Sequence, residues 1–285
     1  MPLLRVNCLT NPNPLVRAAR TCTSDDGDEY KLLAFDFGPD QFLVRRRWDG
    51  IARLEFEFAR LLASVDPAAR RVVGGRPLRA GELDGPPLRV DPALAYPRFV
   101  AGRFSVAPDG VMVFLKRPHM LDFEDVARRD RKAACFLAEL RLFEVVREHP
   151  HPNIVLSHRV VVREDRIVGV ALAPLHRDLL RMLRLSEDVD RIVAEVAGAL
   201  RHLHALSPPY CHNDLSPANI MWKAADDPTA VLIDFDACAP VGTLLRKGNL
   251  YGWGNGATTS HPNNDWEALE KVAHCLRTGE QPDGA

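Results

Sequence analysis

The sequence predicts an α+β fold in which antiparallel hairpins give way to a mainly helical half. Three observations carry this. Apolar stretches of strand length bracket tight polar turns at Gly38-Pro39-Asp40 and Pro108-Asp109-Gly110. Apolar residues recur at helical spacing over about 123–148 and 189–203. Between His212 and Asp236 a polar loop leads into two short apolar runs separated by a polar turn, Ala224 to Thr229. With 285 residues, 46% of them hydrophobic, the chain can bury a sizeable core in one large domain or two lobes.

Residues 1–28 are rich in Pro, Asn and Asp and end in Ser24-Asp25-Asp26-Gly27-Asp28, which predicts a loose arm. Tyr30 to Phe37 and Gln41 to Arg46 read as a hairpin. Leu54 to Leu62 has helical spacing, and Gly74 to Pro92 reads as a Gly- and Pro-rich connector. Residues 29–95 thus form an N-terminal extension to which the sequence assigns no role. Arg98 to Val106 and Val111 to Lys116 predict a second hairpin, with Lys116 at the end of its apolar strand. A helix from about Phe123 to Glu148 carries the stripe Val126, Ala133, Phe136, Leu137, Leu140 and Phe143, with Glu139 and Glu144 on opposite borders. Arg159 to Arg163 and Ile167 to Ala173 pair about Glu164-Asp165-Arg166. Asp178 to Leu185 suits a short helix. Ser186 starts the next, whose buried face is Val189, Ile192, Val193, Val196, Leu200 and Leu203. Asn264 and Glu267 predict a cap for a last helix, Asp265 to Leu276.

The loop after Cys211 holds the chemistry. Asn219 to Trp222 and Val231 to Ile233 form a hairpin, which brings the start of one strand beside the end of the other. Asp214, Asn219 and Asp234 therefore converge on one edge. Two carboxylates and an amide supply the oxygen ligands that Mg²⁺ prefers, with substrate phosphates completing the shell. Beyond Asp236 lies a polar segment with Gly248, Gly252, Gly254 and Gly256. It sits between no strand and helix, so a mobile segment is predicted there, with Thr258, Thr259 and Ser260 as exposed hydroxyls.

His212-Asn213-Asp214-Leu215-Ser216-Pro217-Ala218-Asn219 resembles the H-R-D-x-x-x-x-N catalytic loop of protein kinases, and Asp234-Phe235-Asp236 resembles their D-F-G. The resemblance covers roughly Phe99 to Leu276. It implies a two-lobe protein-kinase-like fold, with a small antiparallel-sheet N-lobe over 96–175 and a helical, shortened C-lobe over 176–285. It further implies Asp214 as the base, Asn219 and Asp234 on Mg²⁺, and Lys116 on the ATP phosphates. Val111 to Lys116 resembles the V-A-I-K strand, and His149-Pro150-His151-Pro152-Asn153-Ile154-Val155 resembles the H-P-N-I-V that follows the helix bearing the Lys partner. Counting back from it favours Glu139 as that partner. Ala171 to Leu175 falls at the hinge, where the backbone of Ala173 and Leu175 would read adenine. D-W-E-A-L resembles the D-x-W helix start whose Asp, here Asp265, braces the catalytic loop. His212 is expected to pack beneath it.

The pattern departs from the family in five places. No G-x-G-x-x-G precedes Lys116, where only Gly102 stands in the preceding strand, so ATP phosphates would lack their usual backbone cover. Asn213 replaces the Arg of H-R-D. Ser216 replaces a Lys, which removes a positive charge aimed at the phosphoryl group. Asp236 replaces the Gly of D-F-G. Little sequence follows the D-x-W helix. The reading these residues favour is a divergent Ser/Thr protein kinase, dependent on ATP and Mg²⁺, with a protein substrate. Two others stay open. One is a small-molecule phosphotransferase of the aminoglycoside or choline kinase type, whose I-D-F/W-(D/E) Ile233 to Asp236 matches. The other is a pseudokinase scaffold.

Composition excludes other classes. Lys plus Arg number 37 against 38 for Asp plus Glu, which gives no basic surplus for nucleic acid or an anionic membrane. The cysteines, Cys8, Cys22, Cys135, Cys211, Cys238 and Cys275, show no metal or disulfide spacing and suit free thiols in a reducing compartment. His202 and His204, two apart on a helix, point in different directions, which speaks against zinc with Cys211 and His212. There is no signal peptide and no membrane span, so an intracellular setting, cytoplasmic or nuclear, is expected.

Overall fold

The computed structural model describes residues 4–5, 15–23, 29–37, 40–47, 88–118, 125–179, 188–247 and 252–282. In chain order they form strands β1 (Leu4–Arg5), β2 (Leu15–Thr23), β3 (Glu29–Phe37), β4 (Asp40–Arg47) and β5 (Leu88–Arg89), then helix α1 (Pro92–Ala95), strand β6 (Met112–Lys116) and helix α2 (Val126–Glu148). Strands β7 (Ser157–Arg163) and β8 (Arg166–Leu172) precede helix α3 (Val189–Ala205). Short strands β9 (Tyr210–Cys211), β10 (Ile220–Trp222), β11 (Ala230–Leu232) and β12 (Ala239–Pro240) lead to helix α4 (Pro262–Thr278). This is the α+β, two-lobe order of a protein-kinase-like fold: a sheet bearing a lysine and a long helix, then a mainly helical part with the loop between.

The sheet order is β1-β6-β8-β7, all antiparallel. β7 and β8 join through Glu164 and Asp165 at φ 45° and 65°, the double left-handed turn that matches strand twist. Lys116 lies opposite Val170 on β8. Next to that pair a Cβ on Gly169 would stand 2.6 Å from Leu115 Cδ1 and 2.8 Å from the Lys116 carbonyl, so glycine is what lets the lysine-bearing strand close on its neighbour. The core runs continuously from Leu115, Phe136, Leu140 and Ile167 in the sheet lobe to Leu200, Leu203, Phe235 and Val272 in the helical lobe. Asn153 and Val155 zip onto β11 (Leu232 N to Asn153 O, 2.8 Å; Val155 N to Leu232 O, 3.0 Å), which fastens the end of α2 to the site hairpin.

Several expectations are corrected. The stretch 1–28, expected as a loose arm, supplies β1 and β2, and β2 pairs along β3. The second hairpin does not form. Only β6 is a strand, while 98–106 makes isolated bridges, because the chain turns at Gly102 (φ 82°) and sends Val106 to Val160. Val126, placed on the buried stripe of α2, is exposed, whereas Leu142 and Val146 are buried. α3 is capped by Asp188, whose carboxylate accepts from Arg191 N. α4 starts a turn earlier than predicted, capped by His261 with Pro262 in its first turn. The predicted helix 54–62, most of the connector 74–92, residues 180–185 and Gly248 lie outside the described residues. None of the described helices is long and apolar enough to cross a membrane.

Candidate active site

The catalytic-loop residues are placed by hydrogen bonds that begin at the foot of α4. Asp265, fully buried, accepts from Asn213 N (2.7 Å), His212 N (2.9 Å) and His204 Nε2 (2.8 Å). Asn213 holds the left-handed conformation (φ 61°) that Asn tolerates better than most residues. Its side chain donates to the Cys211 carbonyl and to Ser260 Oγ and accepts from Asn264 Nδ2. The residue that replaces the expected Arg is therefore a buried structural tie. His212 packs its ring edge against Phe235, and its Nε2 lies 3.0 Å from the Ile233 carbonyl.

Asn219 bonds Asp214, and the Ile233 N–H on the Asn219 carbonyl sets Asp234 beside them. A single 3₁₀ turn, Pro217–Asn219, ends the loop and β10 follows one residue later than expected; β11 ends at Leu232, and Ile233 N donates to the Asn219 carbonyl. Asn219 Nδ2 donates to the Asp214 carbonyl at 2.7 Å, which turns its Oδ1 away from the loop. Asp234 is left-handed (φ 62°), a costly conformation that the surrounding bonds maintain.

Lys116 bonds Glu139 and also Asp234 (Oδ1, 2.7 Å). Glu139 also accepts from Phe235 N (3.0 Å), so α2, β6 and the Asp234 turn share one carboxylate. Glu144, the other candidate, pairs instead with Arg147 on the same helix. One ammonium is thus divided between two carboxylates, and their titration separates accordingly. Burial pushes Glu139 from its ordinary 4.5 up to about 7, against the pull of Lys116 and helped by the Asp234 charge. Burial also opposes ionisation of Asp234, but Lys116 and Lys247 together hold it well below the usual carboxylate range. Lys116 itself is raised: burial works against its charge and is outweighed by Asp234, Glu139 and Asp236.

The Glu139 shift predicts a pH slope. Between about 4.5 and 7 the folded chain keeps a proton that the unfolded chain has released, so unfolding free energy falls as pH rises through that window. Urea titrations at pH 5 and pH 7.5 should show Glu139→Gln losing roughly 1–3 kcal/mol of that fall relative to the parent. An identical slope in both would place the titration elsewhere.

A mostly apolar slot of about 180 Å³ is lined by Phe114, Val155, Leu172, Met221 and Ile233, and Lys116 and Asp234 belong to the same lining. Ala173 and Leu175 line it. Ala173 N–H is given to the Leu156 carbonyl at 2.8 Å. A cavity of about 430 Å³ adjoins it, lined by Arg117, Arg131, Lys132, Arg246 and Lys247 around Lys116 and the carboxylates.

Two features were not foreseen. Lys247 reaches back from the segment after Asp236 to bond Asp214 Oδ2 and Asp236 Oδ1, each at 2.8 Å. That segment is also more constrained than predicted where it is described. Leu245 N bonds the Thr258 carbonyl, Ser260 N the Thr243 carbonyl, and Lys271 Nζ both Gly252 and Gly254 carbonyls. Ser260 is buried, so it is no exposed hydroxyl. Separately, His204, Cys211 and Asp265 bring ligand atoms within 4.8 Å of one another. The Asp265 oxygens there accept N–H donors, and burial pushes the Cys211 thiol up to about 12.

No family model matches the chain. Among solved structures it is similar to the kinase PK-1 of the Cydia pomonella granulovirus, at 20% identity and a TM-score of 0.43. The match covers 51% of this chain and 55% of that one, so the chain spans little more than half the length of the structure it matches.

Proposed function

We propose that the chain is a phosphotransferase that uses ATP and Mg²⁺ and passes the terminal phosphoryl group to a hydroxyl, most readily a Ser or Thr of a protein. The observation that carries this reading is the Glu139–Lys116–Asp234 chain of ion pairs. Lys116 and Asp234 line an apolar slot, beside the loop that presents Asp214 and Asn219.

In this reading adenine fills the slot, with its edge on the Ala173 carbonyl and the Leu175 N–H. Lys116, aimed by Glu139, takes α- and β-phosphate oxygens. Asn219 Oδ1 and Asp234 would hold Mg²⁺, an all-oxygen set that suits a hard cation, and the metal would neutralise charge on the phosphates. Asp214 orients the attacking hydroxyl and takes its proton. The extra carboxylate of Asp236, bonded through Lys247 to Asp214, favours a second reading of the same chemistry. In it the acceptor is a small polar molecule, and Asp236 joins Asp234 near the metal, as the likeness to aminoglycoside and choline kinases implies.

Calorimetry with ATP, with and without Mg²⁺, tests the reading. Binding that needs Mg²⁺ and weakens by roughly tenfold or more in Asp234→Asn supports it, since a lost charge-assisted ligand is worth about 1.5–3 kcal/mol. Absence of binding at millimolar ATP sinks it and leaves the scaffold reading.

A further inference from the structure

The catalytic loop, His212 to Asn219, contains no lysine or arginine. Ser216 is buried, and its Oγ has no hydrogen-bond partner among the described residues. A phosphoryl group approaching Asp214 would meet its negative charge together with that of Asp236, which shares Lys247 with it. Coulomb repulsion at such separations opposes transfer, and a cation must stand between.

Lys247 stands there. Its ammonium lies 2.8 Å from Asp214 Oδ2 and 2.8 Å from Asp236 Oδ1. Its side chain is about one-third exposed, while that of Asp214 is essentially sealed, so the lysine is the partner that can turn towards an incoming group. The backbone that carries it is held nearby by the Leu245–Thr258 and Gly242–Ser260 bonds. Two groupings stand along the site: Glu139, Lys116 and Asp234, then Asp236, Lys247 and Asp214. Each lysine bridges two carboxylates. With Asn219 and Asp234 given to the divalent cation of the phosphotransferase reading, the Lys247 ammonium between Asp214 and Asp236 is the positive charge beside the proposed base.

We infer that Lys247 is a further catalytic residue, the cation that faces the phosphoryl group in transfer, supplied by the segment after Asp236 in place of the loop position that Ser216 fills. This rests on the phosphotransferase reading above. A cation facing the terminal phosphate distinguishes ATP from ADP, so the test needs no turnover.

The experiment is calorimetry of Mg-ATP and Mg-ADP on the full chain, Lys247→Ala, Lys247→Arg, and Ser216→Lys combined with Lys247→Ala, each first checked for a parental unfolding transition. Lys247→Ala should weaken Mg-ATP roughly tenfold and Mg-ADP by about twofold or less. Lys247→Arg should keep most of the preference for ATP, and the Ser216→Lys change should restore part of it in the double variant. An unchanged ATP-to-ADP ratio in Lys247→Ala overturns the assignment while leaving the phosphotransferase intact. Tighter ATP binding in that variant overturns it too and marks Lys247 as a latch that blocks the site. If the parent binds neither nucleotide, the phosphotransferase reading itself fails and takes the assignment with it.

Discussion

Asp214→Asn should lower the rate of phosphoryl transfer by about 10²–10⁴-fold and leave Mg-ATP affinity within a few-fold of the parent, the range expected when a positioned general base is removed. The substitution keeps size and shape. The backbone bonds that place residue 214, its carbonyl accepting from Asn219 and its N–H directed at His212 Nδ1, do not involve the side chain. An amide cannot take up the hydroxyl proton, and it also releases Lys247 from one of its two carboxylates. Single-turnover transfer from labelled ATP to a generic acceptor, alongside calorimetry, separates the outcomes. A variant that binds and transfers like the parent removes Asp214 from the chemistry. One that fails to bind makes it part of the nucleotide site, the behaviour expected of Asp234→Asn instead.

The residues that local geometry brings together were legible in the sequence. A short loop and the antiparallel β10–β11 pair leave the backbones of Asp214, Asn219 and Asp234 little freedom, so their proximity was readable from the spacing. Glu139 needed a count along a helix, and that count holds because α2 is unbroken from Val126 to Glu148. Long-range placement was not legible. Nothing in a run such as Leu245-Arg246-Lys247 shows that its lysine returns to a carboxylate 33 residues earlier in the chain. The one available signal was the shortage of positive charge in a loop carrying Ser216 beside three acidic residues. The missing hairpin before Lys116 failed for a related reason. Alternating apolar residues over 98–106 satisfied the strand pattern, but a strand needs a partner edge, and β1 and β8 already flank β6. Asn213 in place of the expected Arg is a structural tie, visible only once Ser260 and Asn264 are seen around it.

Asp265→Ala should destabilise the fold by about 3–5 kcal/mol, the largest single effect expected outside the core, measurable as a lower urea midpoint at unchanged slope. The carboxylate is fully buried and accepts two backbone N–H groups and an imidazole. Removing it leaves buried donors at His212 and Asn213 unsatisfied, each costing about 1–3 kcal/mol, next to a left-handed Asn213 that the bonds keep in place. Exposed ion pairs such as Arg98–Asp165 lack this leverage, because water replaces either partner, and Arg98→Ala serves as the near-neutral control. Asp265→Asn distinguishes geometry from charge: it keeps an acceptor for one N–H and turns an amide donor towards the other, so it should fall between Ala and the parent. The stability lost should be independent of chelator, since the His204, Cys211 and Asp265 cluster is held by hydrogen bonds and needs no metal. A midpoint that drops in the parent on adding EDTA would contradict that account of the cluster and reopen it as a metal site. Because the same two N–H groups fix the approach to Asp214, the variant that survives folding should also transfer more slowly without any change in the residues that touch nucleotide.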